Sequence, residues 1–495
     1  MKDIILYIPI ILITSLGFLY SQVPDTLWTK TYGGADNDRG YSVKQTNDGG
    51  FIIGGETNSF GADHGYLIKT DEYGDTIWTR TYSGPITSVL QTYDGGYIFT
   101  GTVGRHIYIV RTDSFGDTLW TRVIVPSNNH SRAEEIQPTS NSCYIIVGTA
   151  TDSMTYEYFD ETYLLKIDDD GDTLWTKKYG QWSCYGQSVQ QTVDNGYIVA
   201  GRWLGSIYLM KTNPLGDSLW LKHLGGGHTN SVRQILDGGY IIAGCYNNEN
   251  YTFEHHGTNY PEVGGDVYLI KTDRFGNSEW TRVFDTGMWE RGYSVKQTTN
   301  GGYIVAGRAY LSSFGARVYV IRTDESGDTI WTKMYRTDYN NSGQSIQQTY
   351  DNGFIITGTL DNDFCFMKLD SLGNIVWTKT YGGTPLDIGY SVIQTSDNGY
   401  TAVGETFTPD SGHTSDVWLL KIAPDTFAVE EAKGKITTNH ASGASIIKGP
   451  LVLPEGTNCR VFDITGRVVV PQYIKPGVYF IEVDGAITKK IVKVR

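Results

Sequence analysis

The chain has 495 residues, among them 59 Gly, 35 Tyr and 12 Trp, with 19% charged residues and a formal net charge of −14. That much glycine and aromatic residue points to a turn-rich all-β protein and excludes a disordered one. The acidic balance excludes a nucleic-acid surface, which needs clustered Lys and Arg. Cys143, Cys184, Cys245, Cys365 and Cys459 lie far apart and match no metal-ligand spacing. They read as small buried residues with at most one or two disulfides, and neither a metal site nor a cofactor is expected.

At the N-terminus Lys2 precedes an apolar run from Ile4 to Tyr20 that ends at Ser21. This is the layout of a secretory signal peptide over residues 1–21, a retained membrane anchor being the alternative. No cysteine stands at the expected cleavage point, which argues against a lipoprotein. No other segment is long enough to span a bilayer, so no membrane span is expected after signal removal.

From residue 22 to residue 425 one unit recurs. Trp28, Trp78, Trp120, Trp175, Trp220, Trp280, Trp331 and Trp377 each sit in a variant of DTLWTKTYG, followed by GYSVKQT, DGGFIIGGE and GYLIKTDEYG pieces. Each period therefore holds four short strands. Asp48-Gly49-Gly50 and its counterparts, down to Asp397-Asn398-Gly399, supply the positive-φ residues of tight hairpins, and only Asn141-Ser142-Cys143 departs. A second hairpin turns at Gly74 and its equivalents. Runs such as Phe51-Ile52-Ile53 are apolar on both faces, as in sheets sandwiched between sheets.

Four-stranded units repeated radially make propeller blades. The first unit begins with an orphan outer strand, Asp25–Tyr32, and the last ends at Val417–Ile422 without one. The expectation is an all-β, eight-bladed β-propeller with N-to-C strand closure over 22–425, since pairing these two ends removes the exposed sheet edges. The Trp hairpin resembles the tryptophan docking motif of pyrroloquinoline-quinone-type propellers, and Thr70–Trp78 is similar to the Asp box of sialidase-type propellers. The resemblance implies an indole wedged between neighbouring blades. Nothing in the sequence marks a quinone site or a sialidase arginine cluster.

After a linker over 426–440 comes a final stretch carrying Val461-Phe462-Asp463-Ile464-Thr465-Gly466-Arg467-Val468-Val469, Pro476-Gly477-Val478-Tyr479-Phe480-Ile481 and Lys489-Lys490-Ile491-Val492-Lys493-Val494-Arg495. Read from its residues alone, it is a small β domain. It also resembles the type A C-terminal sorting domain of the type IX secretion system. That resemblance implies a small β-sandwich domain over 441–495, the type IX secretion machinery as partner, and a mature protein that is secreted or held on the outer cell surface.

Basic residues that recur in every unit, such as Lys69 and Lys30, are expected to be scaffold, pairing across strands with Asp71-type and Asp75-type residues. Function is expected where the repeat is broken. The long stretches 151–161 and 247–265 bring Tyr156, Tyr158 and Tyr251 to the face of the inter-blade connections, where Trp182, Trp203 and Trp289 also fall. Aromatics on one rim suit sugar stacking or a protein contact, the alternative being that they cover their own loops. Glu56, Glu405, Arg202 and Arg308 hold equivalent positions at second-strand ends, and closure places Glu56 near Glu405. A cation site or a glycosidase-like carboxylate pair is conceivable there, against solvated loop charge. Asp168-Asp169-Asp170-Gly171-Asp172 reads as a hairpin turn rather than a calcium loop, and His255-His256 as adjacent side chains pointing apart. The leading function is a binding scaffold for polysaccharide or a surface protein. The alternatives are an extracellular carbohydrate-active hydrolase or lyase with its site at the propeller mouth, and a purely structural surface component.

Overall fold

The structure is a computed structural model that describes residues 21–61, 64–127, 130–154, 157–246, 265–287, 289–311, 315–335, 341–383, 386–407, 414–427, 445–448, 459–463, 468–470, 477–483 and 486–494. The chain divides into two compact units, Gln22–Thr426 and a second made of Met1–Ser21 with Phe427–Arg495.

Among the described residues the larger unit holds eight four-stranded antiparallel sheets. The first runs Asp38–Gln45, Phe51–Thr57, His64–Thr70, Thr76–Tyr82, and six more repeat this order along the chain. The eighth combines Ile388–Gln394, Tyr400–Phe407 and Ser415–Ile422 with Thr26–Tyr32, Thr31 lying opposite Trp418. The first strand of each sheet touches the first strands of the sheets before and after it, and Asp38–Gln45 touches Ile388–Gln394. These strands therefore gather around one axis.

The hairpins form where turn chemistry dictates. At the first hairpin Gly49 has φ 86°, and Asn195 and Asn352 have 63°. The departing copy obeys the same geometry, with Ser142 at φ 53°. Asp48 Oδ1 accepts hydrogen bonds from Thr46 Oγ1 and Gly50 N, which fastens the turn. One residue on the first strand is bulged out between Gly40 and Ser42, and the shift recurs in every sheet. It brings the Arg39 carbonyl so close to Gly55 that a Cβ there would collide with it.

Ile52, Ile53, Leu67 and Ile68 are fully buried, so both faces of the middle strands pack. Each apolar cluster lies between two sheets. Trp28, Tyr32, Val403 and Val417 of the eighth sheet share one with Val43, Phe51 and Ile53 of the first. The tryptophans bind neighbouring sheets together. A Cβ on Gly74, at φ 75°, would lie 2.7 Å from the Trp28 ring, and Tyr32 Oη donates to Gly74 O at 2.7 Å. Trp78, Trp120, Trp175, Trp220, Trp280 and Trp331 meet the turn glycine of the following sheet in the same way. Trp377 has no such turn to meet, and its indole N–H donates to Asp425 instead, at 2.6 Å.

The expected charge partners need correction. Lys30 reaches Asp75 of the next sheet at 2.6 Å, and Arg80, Arg122, Lys177 and Arg282 repeat the inter-sheet link. Lys69 pairs with Asp48 of the first hairpin, not with Asp71. Asp71 instead accepts from the N–H groups of Tyr73 and Asp75 and shapes its own turn. Asp168 does the same for Asp172, so the acidic run at 168–172 is a hairpin turn. Cys143, Cys184, Cys245 and Cys365 are free thiols.

In the smaller unit the described residues form one five-stranded sheet, ordered Ser445–Lys448, Ala486–Val494, Gly477–Val483, Cys459–Asp463, Val468–Val469. Its first two strands are parallel. The second layer of the expected sandwich is not among the described residues.

Candidate functional site

The bulge fixes which side chains meet at the axis. Immediately after it, seven sheets place a serine, Ser42 being the first, and the third sheet places Glu135. Two residues further, at the equivalent register, stand Lys44 on Asp38–Gln45, Arg233 on His228–Gln234 and Lys296 on Trp289–Gln297. Glu135 Oε2 accepts from Ser188 Oγ and Val189 N at 3.0 Å each, and Glu135 Oε1 lies 3.4 Å from Arg233 Nη2. Lys44 and Lys296 make no hydrogen bond or ion pair among the described residues. Solvent reaches both side chains, yet much protein surrounds them. Burial, then the positive charges of Arg233 and Lys44, bring Lys296 down to about 8. Arg233 thus pairs with Glu135, and Lys44 and Lys296 add positive charge nearby.

Three residues before the bulge serine lies the mouth. Arg39 stands opposite Glu56, and its guanidinium contacts both predicted carboxylates: Nη1 lies 3.0 Å from Glu56 Oε1 and Nε 2.6 Å from Glu405 Oε2. Glu405 is 3% exposed and also accepts from Tyr390 Oη at 2.6 Å. The Tyr41 and Tyr390 rings meet edge to face at 5.8 Å. Glu56 and Glu405 are therefore brought together, as anticipated, but around an arginine. A guanidinium held between two carboxylates occupies the place a cation or attacking water would need.

Across the mouth the charge is positive. Arg202 stands opposite Tyr185 and Arg308 opposite Arg291. Burial, then Arg202 and Arg291, lower the His228 pKa from 6.5 to about 4, so this imidazole is neutral near pH 7. Arg308 lies over the Tyr310 ring at 5.2 Å and lines an open cavity of about 250 Å³ with Asn341, Ser342, Gln344, Thr359, Leu386 and Ile388.

Trp182 is 44% exposed, has φ 61°, and sits against Phe159 with ring centroids 4.1 Å apart. Trp203 comes to the same end of its sheet, where its indole N–H donates to Gln181 O at 2.8 Å and its ring tilts against His223. Trp289 begins the strand Trp289–Gln297 opposite Tyr310. Tyr158 lies on Glu157–Ile167. The side chains of Trp289 and Tyr158, and all of Tyr156, Tyr251 and the His255-His256 pair, lie outside the described residues.

Sequence reasoning missed Arg39, Lys44, Glu135, Arg233 and Lys296. The signal was present at one position of the repeat, where a serine in seven copies is replaced by Glu135.

Neither a protein-family model nor a curated protein matches the sequence. The solved structures it resembles are β-propeller and WD40-like folds. Sqt1 from Chaetomium thermophilum aligns at 11% identity over 79% of this chain and 97% of that one, with a TM-score of 0.53. The Neurospora crassa Pan2 WD40 domain aligns at 13% identity over 68% and 92%, with a TM-score of 0.43. The dihydro-heme d1 dehydrogenase NirN aligns at 11% over 70% and 74%, with 0.45. Likeness at such identity speaks to fold alone.

Proposed function

We propose that this chain is an exported, closed eight-bladed β-propeller that acts as a binding scaffold for an acidic polysaccharide, which it takes at the mouth of its axial channel. The pairing of Thr26–Tyr32 with Ser415–Ile422 supports closure. Export rests on the apolar N-terminal run and on the resemblance of 441–495 to type IX sorting domains.

One observation carries the ligand class. In a chain of net charge −14, Lys44, Arg233 and Lys296 stand at one register of their first strands, close enough to act on one another, and only Arg233 pairs with Glu135. Such a concentration of positive charge in a confined space attracts anions over distance. Trp182, just before the strand Cys184–Gln191 and so at the mouth end of the first strands, offers a half-exposed indole for sugar stacking. The hydrolase alternative is weakened by the Arg39 bridge between Glu56 and Glu405.

A glycan array read at low and high salt tests this reading. Uronate-bearing or sulfated glycans are expected to bind and neutral ones not, with binding lost as salt rises. The triple variant Lys44→Gln, Arg233→Gln, Lys296→Gln is expected to bind at least about tenfold more weakly, the loss of about 1.4 kcal/mol that one charge-assisted contact supplies. Equal binding of neutral glycans, or an unaffected triple variant, overturns the proposal. For export, a chain lacking residues 441–495 is expected to stay within the envelope of a bacterium that carries the type IX machinery.

A further inference from the structure

At the seam between the fifth and sixth sheets, outside the channel, three carboxylates meet. Asp266 begins the strand Asp266–Thr272, Asp285 lies in the connection that follows Ser278–Phe284, and Glu290 lies at the start of Trp289–Gln297. Each offers an oxygen, and these oxygens lie within 4.8 Å of one another. Glu290 is 1% exposed. Its Oε1 accepts from the Thr286 hydroxyl, but Oε2 is buried without any hydrogen-bond partner. None of the three carboxylates makes an ion pair among the described residues. Burying a carboxylate with an unsatisfied oxygen, beside two further acids, costs free energy that a bound cation or a proton offsets, and burial together with Asp266 raises the Glu290 pKa.

Two other seams provide an internal comparison. Asp387 occupies the position equivalent to Glu290 beside Asp363, and it accepts from Gly383 N at 3.2 Å and Phe407 N at 2.9 Å. Asp38 stands beside Asp416 and accepts from Gly34 N at 2.9 Å and Ser59 Oγ at 2.6 Å. Asp38 also keeps one bare oxygen, but with a single carboxylate neighbour it falls short of a ligand set. Among the described residues, only at Glu290 do three carboxylates bring oxygens within 4.8 Å of one another, one of them on a longer side chain.

We propose that Asp266, Asp285 and Glu290 bind a hard divalent cation, Ca²⁺ by its all-oxygen donor set, which clamps the connection at 285–290 to the seam between the fifth and sixth sheets. Carboxylate oxygens without sulfur or imidazole suit Ca²⁺ over zinc or copper, and its tolerance of irregular coordination suits ligands drawn from a strand start and a turn. Backbone carbonyls and water would complete the shell.

The test is thermal unfolding of the full chain in EDTA, in Mg²⁺ and in Ca²⁺, together with Tb³⁺ luminescence and its displacement by Ca²⁺. Ca²⁺ is expected to raise the unfolding midpoint by at least about 2 °C over EDTA, because a ligand that binds only the folded state stabilises it. Asp285→Asn, at an exposed position and therefore safe for folding, is expected to abolish both the shift and the luminescence, as is Glu290→Gln. Asp416→Asn, at the comparison seam, is expected to leave both intact. The proposal is overturned by equal midpoints in Ca²⁺ and EDTA, or by a Ca²⁺ shift that survives in Asp285→Asn and Glu290→Gln.

Discussion

The Lys368 side chain is 1% exposed and its ammonium lies 2.7 Å from Asp351, whereas Lys30 and Asp75, at 2.6 Å, are 35% and 67% exposed. Equal distances here mean unequal energies, because solvent screens the second pair more than the first, in which only Asp351, at 41%, is exposed. Asp351→Ala leaves the buried Lys368 ammonium with only Asp425, at 4.0 Å, and is expected to cost about 2 kcal/mol, while Asp75→Ala is expected to cost less than about 1 kcal/mol, both read by denaturant unfolding. His228 sets a pH dependence of the same sign as that of Asp351, whose carboxyl is also held below its ordinary range, but in a higher pH window. Its pKa is lowered from 6.5 to about 4, so as pH falls through 6.5 the unfolded chain takes up a proton that the folded chain refuses. Stability is therefore expected to drop between pH 6.5 and 4. His228→Gln is expected to flatten that stretch of the midpoint-versus-pH curve, and an unchanged slope would refute the assignment.

Neighbouring sheets are joined by an indole laid on a glycine. Gly116, at φ 77°, would bring a Cβ to 2.8 Å from the Trp78 ring. Gly116→Ala combines backbone strain with a steric clash and is expected to cost about 2 kcal/mol or more. Trp78→Ala removes the packed ring and is expected to cost about 3–5 kcal/mol. If Gly116→Ala proved neutral in thermal unfolding, the docking account would fail. Arg39 joins the first and eighth sheets by charge. Arg39→Met leaves Glu405, 3% exposed, without its cation and is expected to cost about 3 kcal/mol.

The pairing of Thr26–Tyr32 with Ser415–Ile422 decides the behaviour of the whole molecule. A chain lacking residues 22–33 presents Ser415–Ile422 as a bare edge. It is expected to self-associate in size-exclusion chromatography and to yield readily to protease, and a monomeric, resistant product would show that the strand is dispensable. The sequence by itself determined the four-stranded unit and its turn residues, down to the glycine at 74. These follow from hydrogen bonding along a short stretch of chain and from φ preferences that act within a few residues. Only the tertiary structure decided that Lys69 answers to Asp48, that Glu56 and Glu405 share Arg39, and that Lys44, Arg233 and Lys296 face one another across the axis. Residues from sheets far apart along the chain meet there because the bulge recurs at the same register in every sheet, and charge acts through space rather than along sequence.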